Sequence, residues 1–160
     1  MKAIQVHEYG GPEVLKYEEV PDPTPGPGEL LVEVRAAGVN FADITSRIGR
    51  YRPALPWIPG NEAAGVVEAV GPGVTEIKPG DRVAYQGGAP GAYADLRVVP
   101  AWRLTKLPDN VSDEAAAALM LKGMTVEYLM ERCAPLKPGD YALMYAAAGG
   151  VGMIAGQWAR

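Results

Sequence analysis

The residues whose types and spacing most clearly suggest chemistry are the small residues 146–152, Ala-Ala-Ala-Gly-Gly-Val-Gly. They follow an apolar strand pattern, 141–145, and precede a helical pattern with Val151, Ile154 and Trp158 on one face. In this context glycines can bind a dinucleotide, because the first turn of the helix offers unpaired N–H groups to a pyrophosphate. The glycines alone leave a second interpretation equally open, a tight turn that binds nothing.

The glycine pattern is also incomplete. Ala147 stands where the first glycine of a G-x-G-x-x-G fingerprint would be. The acidic residue that holds the ribose is expected about 20 residues further on, beyond Arg160. A complete βαβ unit needs about 30 residues or more. The chain is therefore predicted to carry only the opening of a nucleotide-binding domain.

The residues up to about 110 predict an all-β module of short strands joined by Gly- and Pro-rich turns. The strand patterns are Lys2–Tyr9, Val14–Val20, Leu30–Gly38, Glu62–Val70, Arg82–Tyr85 and Tyr93–Pro100. A short helix is expected over 41–49. Lys-Pro-Gly-Asp occurs at 78–81 and again at 137–140, which predicts two type II turns, each leading into a strand.

Helices are predicted after this module. Ser112 is expected to cap a helix that runs to Leu121, and a second helix is expected from about Thr125 to Cys133. Cys133 is predicted to be a partly buried apolar residue.

Composition excludes several classes of function. The net charge is −4 and no cluster of basic residues is apparent, which argues against nucleic-acid binding. One cysteine and one histidine, Cys133 and His7, exclude an internal disulfide and a multi-cysteine zinc site. No signal segment and no membrane-spanning run is present, so a cytoplasmic protein is expected.

Several motifs occur in an order that resembles a known family. The chain is similar to the N-terminal half of zinc-free, zeta-crystallin-like NADPH:quinone oxidoreductases of the medium-chain dehydrogenase/reductase superfamily. The motifs are Ala36–Asp43 (AAGVNFAD), Ile58–Glu62 (IPGNE), Gly80–Tyr85 (GDRVAY), Gly91–Ala94 (GAYA), Leu121–Thr125 (LKGMT) and the small residues at 146–152.

The resemblance implies a mixed fold: a GroES-like β-barrel domain over 1–122, followed over 123–160 by a helical connector and the truncated start of a Rossmann α/β domain. The barrel would lack a closing segment from the C-terminal end of the protein. The whole protein would be about twice this length and a homo-oligomer.

The resemblance also bears on metal binding. Zinc-dependent relatives have Cys at the position of Asn40 and His at that of Asn61. Amides are poor zinc ligands compared with thiolate or imidazole, so no metal is expected. A quinone or conjugated enone is already electrophilic and needs only hydrogen bonds to its developing oxyanion.

The resemblance assigns catalytic roles to Asn40, Asp43 and Tyr51. For Asn40 and Asp43, capping of the short helix at 41–49 is a compatible structural role. For Tyr51, the alternative is packing against Trp57.

NADPH is the expected cofactor, on the resemblance alone. Thr125 would approach its nicotinamide carboxamide, and Lys122 would favour a phosphate or only cap a helix end. The residues expected at the pyrophosphate are Ala148, Gly149, Gly150, Val151 and Gly152.

The expected function is therefore metal-free reduction of quinones by NADPH in a full-length protein. One alternative is the reduction of alkenal or enone double bonds. Another is that the 160-residue chain is a non-catalytic fragment or a structural binding protein.

Overall fold

The computed structural model describes all residues from Met1 to Arg160. They form two compact units, Met1–Ala118 and Leu119–Arg160. None of the helices is long and apolar enough to span a membrane.

The first unit contains seven strands in two antiparallel sheets. The hairpin of β1 (Lys2–Val6) and β2 (Leu15–Glu19) forms the smaller sheet, as predicted. The larger sheet has the order β6-β3-β4-β5-β7. Its strands are β3 (Glu29–Ala37), β4 (Glu62–Val70), β5 (Arg82–Gln86), β6 (Leu96–Pro100) and β7 (Leu104–Lys106).

The larger sheet is open, because its outer strands β6 and β7 do not pair with each other. The predicted β module is thus present, and its strands do not close into a barrel. One face carries the core, where Leu30, Val67 and Val83 are fully buried. A separate small cluster joins Val6, Val14 and Trp57. Trp57 also forms an isolated β-bridge with Val6, so the hairpin buries the Trp57 ring.

The helices differ in part from the prediction. Helix α1 (Phe41–Arg47) lies where expected. Helix α2 runs without a break from Asp113 to Glu127 and continues as a π-helical turn, Tyr128–Cys133. The two separate helices predicted here are therefore wrong. Gly123 lies between the two predicted helices, and a glycine costs a helix interior only about 1 kcal/mol, so it does not end α2.

Ser112 caps α2 as predicted, because its Oγ accepts the Ala115 N–H at 3.1 Å. Both Lys-Pro-Gly-Asp turns also form. Gly80 and Gly139 have φ of +89° and +94°, and each aspartate carboxylate accepts the backbone N–H of its lysine.

In the second unit, the strand predicted over 141–145 is absent. Tyr141, Leu143 and Tyr145 are almost fully exposed, and their N–H groups make no backbone hydrogen bonds. A strand exists only with a neighbour to hydrogen-bond, and no other strand lies in this unit. Helix α3 (Gly150–Trp158) forms where expected.

Cys133 is exposed, so its predicted partial burial is also wrong. It is the last residue of the π-helical turn, and its side chain is in contact with solvent. Its thiol raises the pKa of the Tyr128 phenol, chiefly by hydrogen bonding.

Candidate functional site

The register of two neighbouring strands positions the first set of predicted site residues. Strand β3 ends beside the beginning of β4, with Ala37 opposite Ala63 and the Gly38 N–H donating to the Glu62 carbonyl oxygen. The chain leaves β3, turns at Asn40 and enters α1. Asn40 therefore lies beside Glu62, which is 22 residues away in sequence.

Five residues at this point form one hydrogen-bonded group, joined through the Asn40 backbone N–H, which we term the carboxylate–amide network. Its members are Asn40, Asp43, Asn61, Glu62 and Tyr93. The Asn40 Nδ2 donates to Glu62 Oε1 at 2.8 Å, and the Asn61 Nδ2 donates to Asp43 Oδ1 at 2.9 Å. Each amide is thus paired with one carboxylate.

Asp43 is the centre of the network. Its side chain is only 6% exposed. Besides the Asn61 amide, its Oδ2 accepts the Tyr93 hydroxyl and the Asn40 backbone N–H, both at 2.9 Å. Asp43 is therefore arranged to fix its neighbours in place, and its lone pairs are largely used.

Glu62 is fully buried, and the chain around it leaves no spare volume. A Cβ on Gly38 would lie 2.3 Å from Glu62 Oε1 and 2.4 Å from the Ala117 carbonyl oxygen. Only glycine at position 38 leaves room for this carboxylate. The glycine of the first family motif therefore maintains the position of the acid that orients Asn40.

Tyr93 is held at the network by the backbone on both sides. Its N–H donates to the Pro59 carbonyl, and its own carbonyl accepts the Ile4 N–H. Burial, and next the Asp43 carboxylate, raise the pKa of its phenol. Tyr93 therefore stays protonated and donates its hydrogen bond to Asp43.

The network also determines what the two amides present. Both Asn40 and Asn61 turn their nitrogen atoms toward carboxylates. An amide nitrogen has no free lone pair for a metal, so these contacts do not resemble a zinc site. Moreover, no group of three or more His, Cys, Asp or Glu side chains in the chain could hold a metal ion.

Tyr51 lies on the segment that follows α1. Its backbone N–H donates to the Thr45 carbonyl at 3.3 Å, and its side chain is 62% exposed. Trp57 packs in the cluster with Val6 and Val14, so burial against Trp57 does not account for Tyr51. The structure leaves the Tyr51 phenol on the surface.

In the second unit, the glycine-rich turn leads directly into α3. The Gly149 N–H donates to the Ala146 carbonyl at 2.9 Å, which closes the turn, and Gly149 is the residue that precedes the helix. A Cβ on Gly152 would lie 2.5 Å from the Ala146 carbonyl oxygen and 2.6 Å from the Ala147 Cα. Gly152 therefore permits the helix to approach the turn closely.

The remaining residues expected to hold a cofactor, Lys122 and Thr125, both belong to α2. A Cβ on Gly150 would lie 3.2 Å from the Lys122 Cγ, so the aliphatic part of Lys122 runs beside the start of α3. Thr125 uses its hydroxyl within α2, donating to the Leu121 carbonyl at 2.6 Å. The first turn of α3 and the Lys122 chain are thus brought together, and an anion would fit the helix N-terminus with its small residues.

Three members of the network, Asn61, Glu62 and Tyr93, were not among the predicted site residues. All three lie within the motifs Ile58–Glu62 and Gly91–Ala94. The missing information was spatial, because Tyr93 and Asp43 are 50 residues apart. The available sequence signal for Glu62 was an acidic residue directly after a glycine-asparagine pair.

Comparison with known proteins identifies the family of the chain. Residues 26–109 match the alcohol dehydrogenase GroES-like domain. Over 160 residues the chain is 51% identical to a quinone oxidoreductase of Pseudomonas aeruginosa. The aligned region covers 99% of this chain and 49% of the relative. It is 45% identical to a 2-haloacrylate reductase of a Burkholderia species, covering 99% of this chain and 49% of that protein.

The crystal structure of Escherichia coli quinone oxidoreductase complexed with NADPH superposes with a TM-score of 0.96 at 47% identity. The superposition covers 99% of this chain and 49% of that one. The chain spans about half the length of the curated relatives that it matches. The family predicted from the sequence motifs is confirmed. The chain belongs to the alcohol dehydrogenase GroES-like domain family, within the medium-chain dehydrogenase/reductase superfamily, and is homologous to part of the quinone oxidoreductases.

Proposed function

We propose that this chain supplies the acceptor-binding part of an NADPH-dependent quinone reductase that works without a metal. The observation that carries the proposal is the carboxylate–amide network. The resemblance implies that two of its members, Asn40 and Asn61, stand where zinc-dependent relatives have metal ligands. The relatives named quinone oxidoreductase support the choice of acceptor. We also infer that residues 1–122 belong to the acceptor-binding domain and 123–160 to the start of the nucleotide domain.

The residues of the network suit this chemistry. When bound, the reduced nicotinamide supplies the hydride. Negative charge then develops on a quinone oxygen, and positioned N–H and O–H donors stabilise it. Asn40 retains a second amide N–H after pairing with Glu62, and the Tyr51 phenol is exposed. We assign the donor role to these two side chains.

Asp43 would act differently from a general base. Its carboxylate already accepts three hydrogen bonds, so abstracting a proton would require losing one of them. We assign it a positioning role: it anchors the start of α1 and, through Asn61, the start of β4. A change at Asp43 should therefore disturb Asn40 and Tyr51 together.

The cofactor would be held by the second unit. Ala148, Gly149, Gly150, Val151 and Gly152 would face the pyrophosphate, with Lys122 beside them and Thr125 toward the nicotinamide end. The close approach at Gly152 supports this fit, because a side chain there would displace the turn from the helix.

A second candidate is the reduction of a conjugated double bond. The relative named 2-haloacrylate reductase favours it. Both reactions need a hydride donor and hydrogen-bond donors to the developing oxyanion, so the network alone does not distinguish them. Measuring activity with one acceptor of each kind distinguishes them.

The test uses a protein of the relatives' full length that contains this chain. NADPH oxidation is followed with p-benzoquinone and with crotonaldehyde, before and after exhaustive treatment with a chelator. We expect quinone turnover that the chelator does not change and that exceeds enal turnover. Greater activity with crotonaldehyde would favour the second candidate, and loss of activity to the chelator would contradict the metal-free proposal.

Two variants test the site assignments in the same protein. Tyr51→Phe should lower kcat/KM for quinones about ten-fold, since a positioned O–H donor is lost; an unchanged value would remove Tyr51 from the mechanism. Gly152→Ala should weaken NADPH binding at least about ten-fold. Gly156→Ala is the matched control, because a Cβ there meets no atom within 4 Å.

A further inference from the structure

The segment between the two buried carboxylates of the site carries an unusual charge. Residues 44–61, which we term the arginine loop, contain three arginines and neither Asp nor Glu. The arginines are Arg47, Arg50 and Arg52, and no two of them are adjacent in the sequence. The chain as a whole has a net charge of −4, so this local excess of positive charge runs against the overall balance.

The arginine loop begins and ends at the carboxylate–amide network. Asn61, its last residue, donates to Asp43, the residue before its first. Inside the loop, the N–H groups of Arg50 and Tyr51 both donate to the Thr45 carbonyl. The loop is thus closed on itself beside the proposed acceptor site.

The loop is also fixed to the β1–β2 hairpin segment. The Tyr9 hydroxyl donates to the Pro53 carbonyl at 2.6 Å, and the Gly10 N–H donates to the Arg47 carbonyl at 3.0 Å. These contacts come from outside the loop and fix its backbone at Arg47 and Pro53, on either side of Arg50 and Arg52.

None of the three arginines is neutralised by an ion pair. Arg47 and Arg52 donate through Nε to the Gly10 and Gly49 carbonyls, and Arg52 also lies 5.9 Å from the centre of the Tyr9 ring. The Arg50 side chain is exposed and contacts no partner.

Two acidic residues lie on the neighbouring hairpin segment, Glu8 and Glu13. The Glu13 carboxylate accepts the Gly11 N–H at 2.8 Å, and neither acid reaches an arginine of the loop. The loop therefore retains a net positive charge next to an exposed tyrosine, Tyr51, which lies between Arg50 and Arg52.

We propose that the arginine loop selects acceptors that carry an anionic substituent, a carboxylate, sulfonate or phosphate attached to the quinone or conjugated system. The inference rests on the proposed reductase function and specifies its substrate class. The Tyr51 phenol would donate to the acceptor, and Arg50 and Arg52, on either side of it in the sequence, would attract the charged substituent. Arg47 lies in the last turn of α1, where its charge also favours the helix, so Arg50 and Arg52 are the informative positions.

The experiment compares two acceptors that differ only in charge, a naphthoquinone with a propanoate side chain and its methyl ester. The ratio of kcat/KM for the acid to that for the ester is measured in the full-length protein and in Arg50→Gln, Arg52→Gln and the double variant. Each substitution should lower the ratio about three-fold, the size of one exposed charge interaction. Added salt should lower the ratio for the parent protein as well.

Arg35→Gln is the matched control, since this exposed arginine on β3 already pairs with Glu33. It should leave the ratio unchanged. A ratio that is the same in the double variant as in the control would overturn the inference, even in an enzyme that reduces both quinones.

A binding measurement separates this inference from the proposed function. The naphthoquinone acid and its ester are titrated into the isotope-labelled full-length protein, and the arginine Nε–H resonances are followed by NMR. The acid, but not the ester, should shift the resonances of Arg50 and Arg52. Absence of a selective shift would refute the substrate class, whereas a selective shift in a protein without reductase activity would refute only the proposed reaction.

Discussion

Several polar side chains of this chain are buried, and burial determines their hydrogen bonding and protonation. Asp43 and Glu62 are buried acids, and each accepts a hydrogen bond from a side-chain amide. Tyr85 is a buried phenol whose hydroxyl makes no hydrogen bond of normal geometry. Burial raises its pKa to about 12, and the nearby Arg97 charge offsets this only in part. Such a group stabilises the fold only while it stays protonated.

Tyr85 therefore predicts a loss of stability at alkaline pH. Below the usual phenol pKa of about 10, Tyr85 is protonated in both states and its contribution is fully present. Above it, the unfolded chain releases the proton while the folded chain keeps it, so the free energy of unfolding falls by about 1.4 kcal/mol per pH unit from this group. The fall continues until the folded pKa of about 12 is passed.

Urea denaturation at about pH 9 and about pH 11 measures this effect. Tyr85→Phe should make the free energy of unfolding fall less between these two pH values, because the contribution of Tyr85 is removed. At neutral pH the substitution should change the free energy of unfolding by less than about 1 kcal/mol, since no hydrogen bond is lost. Tyr17→Phe, at a largely exposed tyrosine, is the control. If Tyr85→Phe loses stability with pH as steeply as the parent chain, the buried phenol is not the cause.

At the scale of elements, local patterns predicted most of the structure of the first unit. The strand over 62–70 and the turn at 78–81 are predicted from neighbouring residues alone, and both are confirmed. The absent strand at 141–145 and the continuous helix α2 were not predictable in the same way. A strand depends on a partner elsewhere in the protein, and a helix can pass through one glycine when its flanking residues favour it.

The site was predictable to a similar extent. Asn40 and Asp43 are three residues apart and could be recognised from a local motif. Their partners Glu62 and Tyr93 are brought to them by the sheet register and by the loop over 91–94. No local pattern indicates that Tyr93 donates to Asp43, because that contact depends on the path of the whole unit.

Two glycines on different elements provide an element-scale prediction with its own control. Gly38→Ala should destabilise the chain by about 1–3 kcal/mol, because the new Cβ would overlap Glu62 and the Ala117 carbonyl. Gly123→Ala, within α2, meets no atom within 4 Å and should stabilise the chain by up to about 1 kcal/mol. Thermal or urea denaturation measures both, and equal effects of the same sign would contradict the packing described at Gly38.

At the scale of the whole chain, backbone hydrogen bonding is unevenly distributed. The first unit is dominated by antiparallel ladders, whereas residues 134–149 of the second contain neither helix nor strand. The exposed apolar side chains Tyr141, Leu143 and Tyr145 belong to that segment.

Hydrogen exchange should reproduce this difference. Amides of β3 and β4 should exchange only through global unfolding, and amides of 141–145 should exchange with an opening free energy near zero. Exchange followed by mass spectrometry measures both in one experiment. Protection at 141–145 equal to that of β4 would show that these residues pair with a strand in solution.

The contact between Asn61 and Asp43 joins residues only 18 positions apart, and it has a consequence for how this protein could change. The exposed side chains of the enclosed stretch, Tyr51 and the arginines beside it, contribute nothing to that contact, while Pro59 and Trp57 within the stretch hold Tyr93 and the hairpin. The exposed positions can therefore be substituted without rebuilding the network. Acceptor preference and the integrity of the site are thereby separable, both for evolution and for engineering.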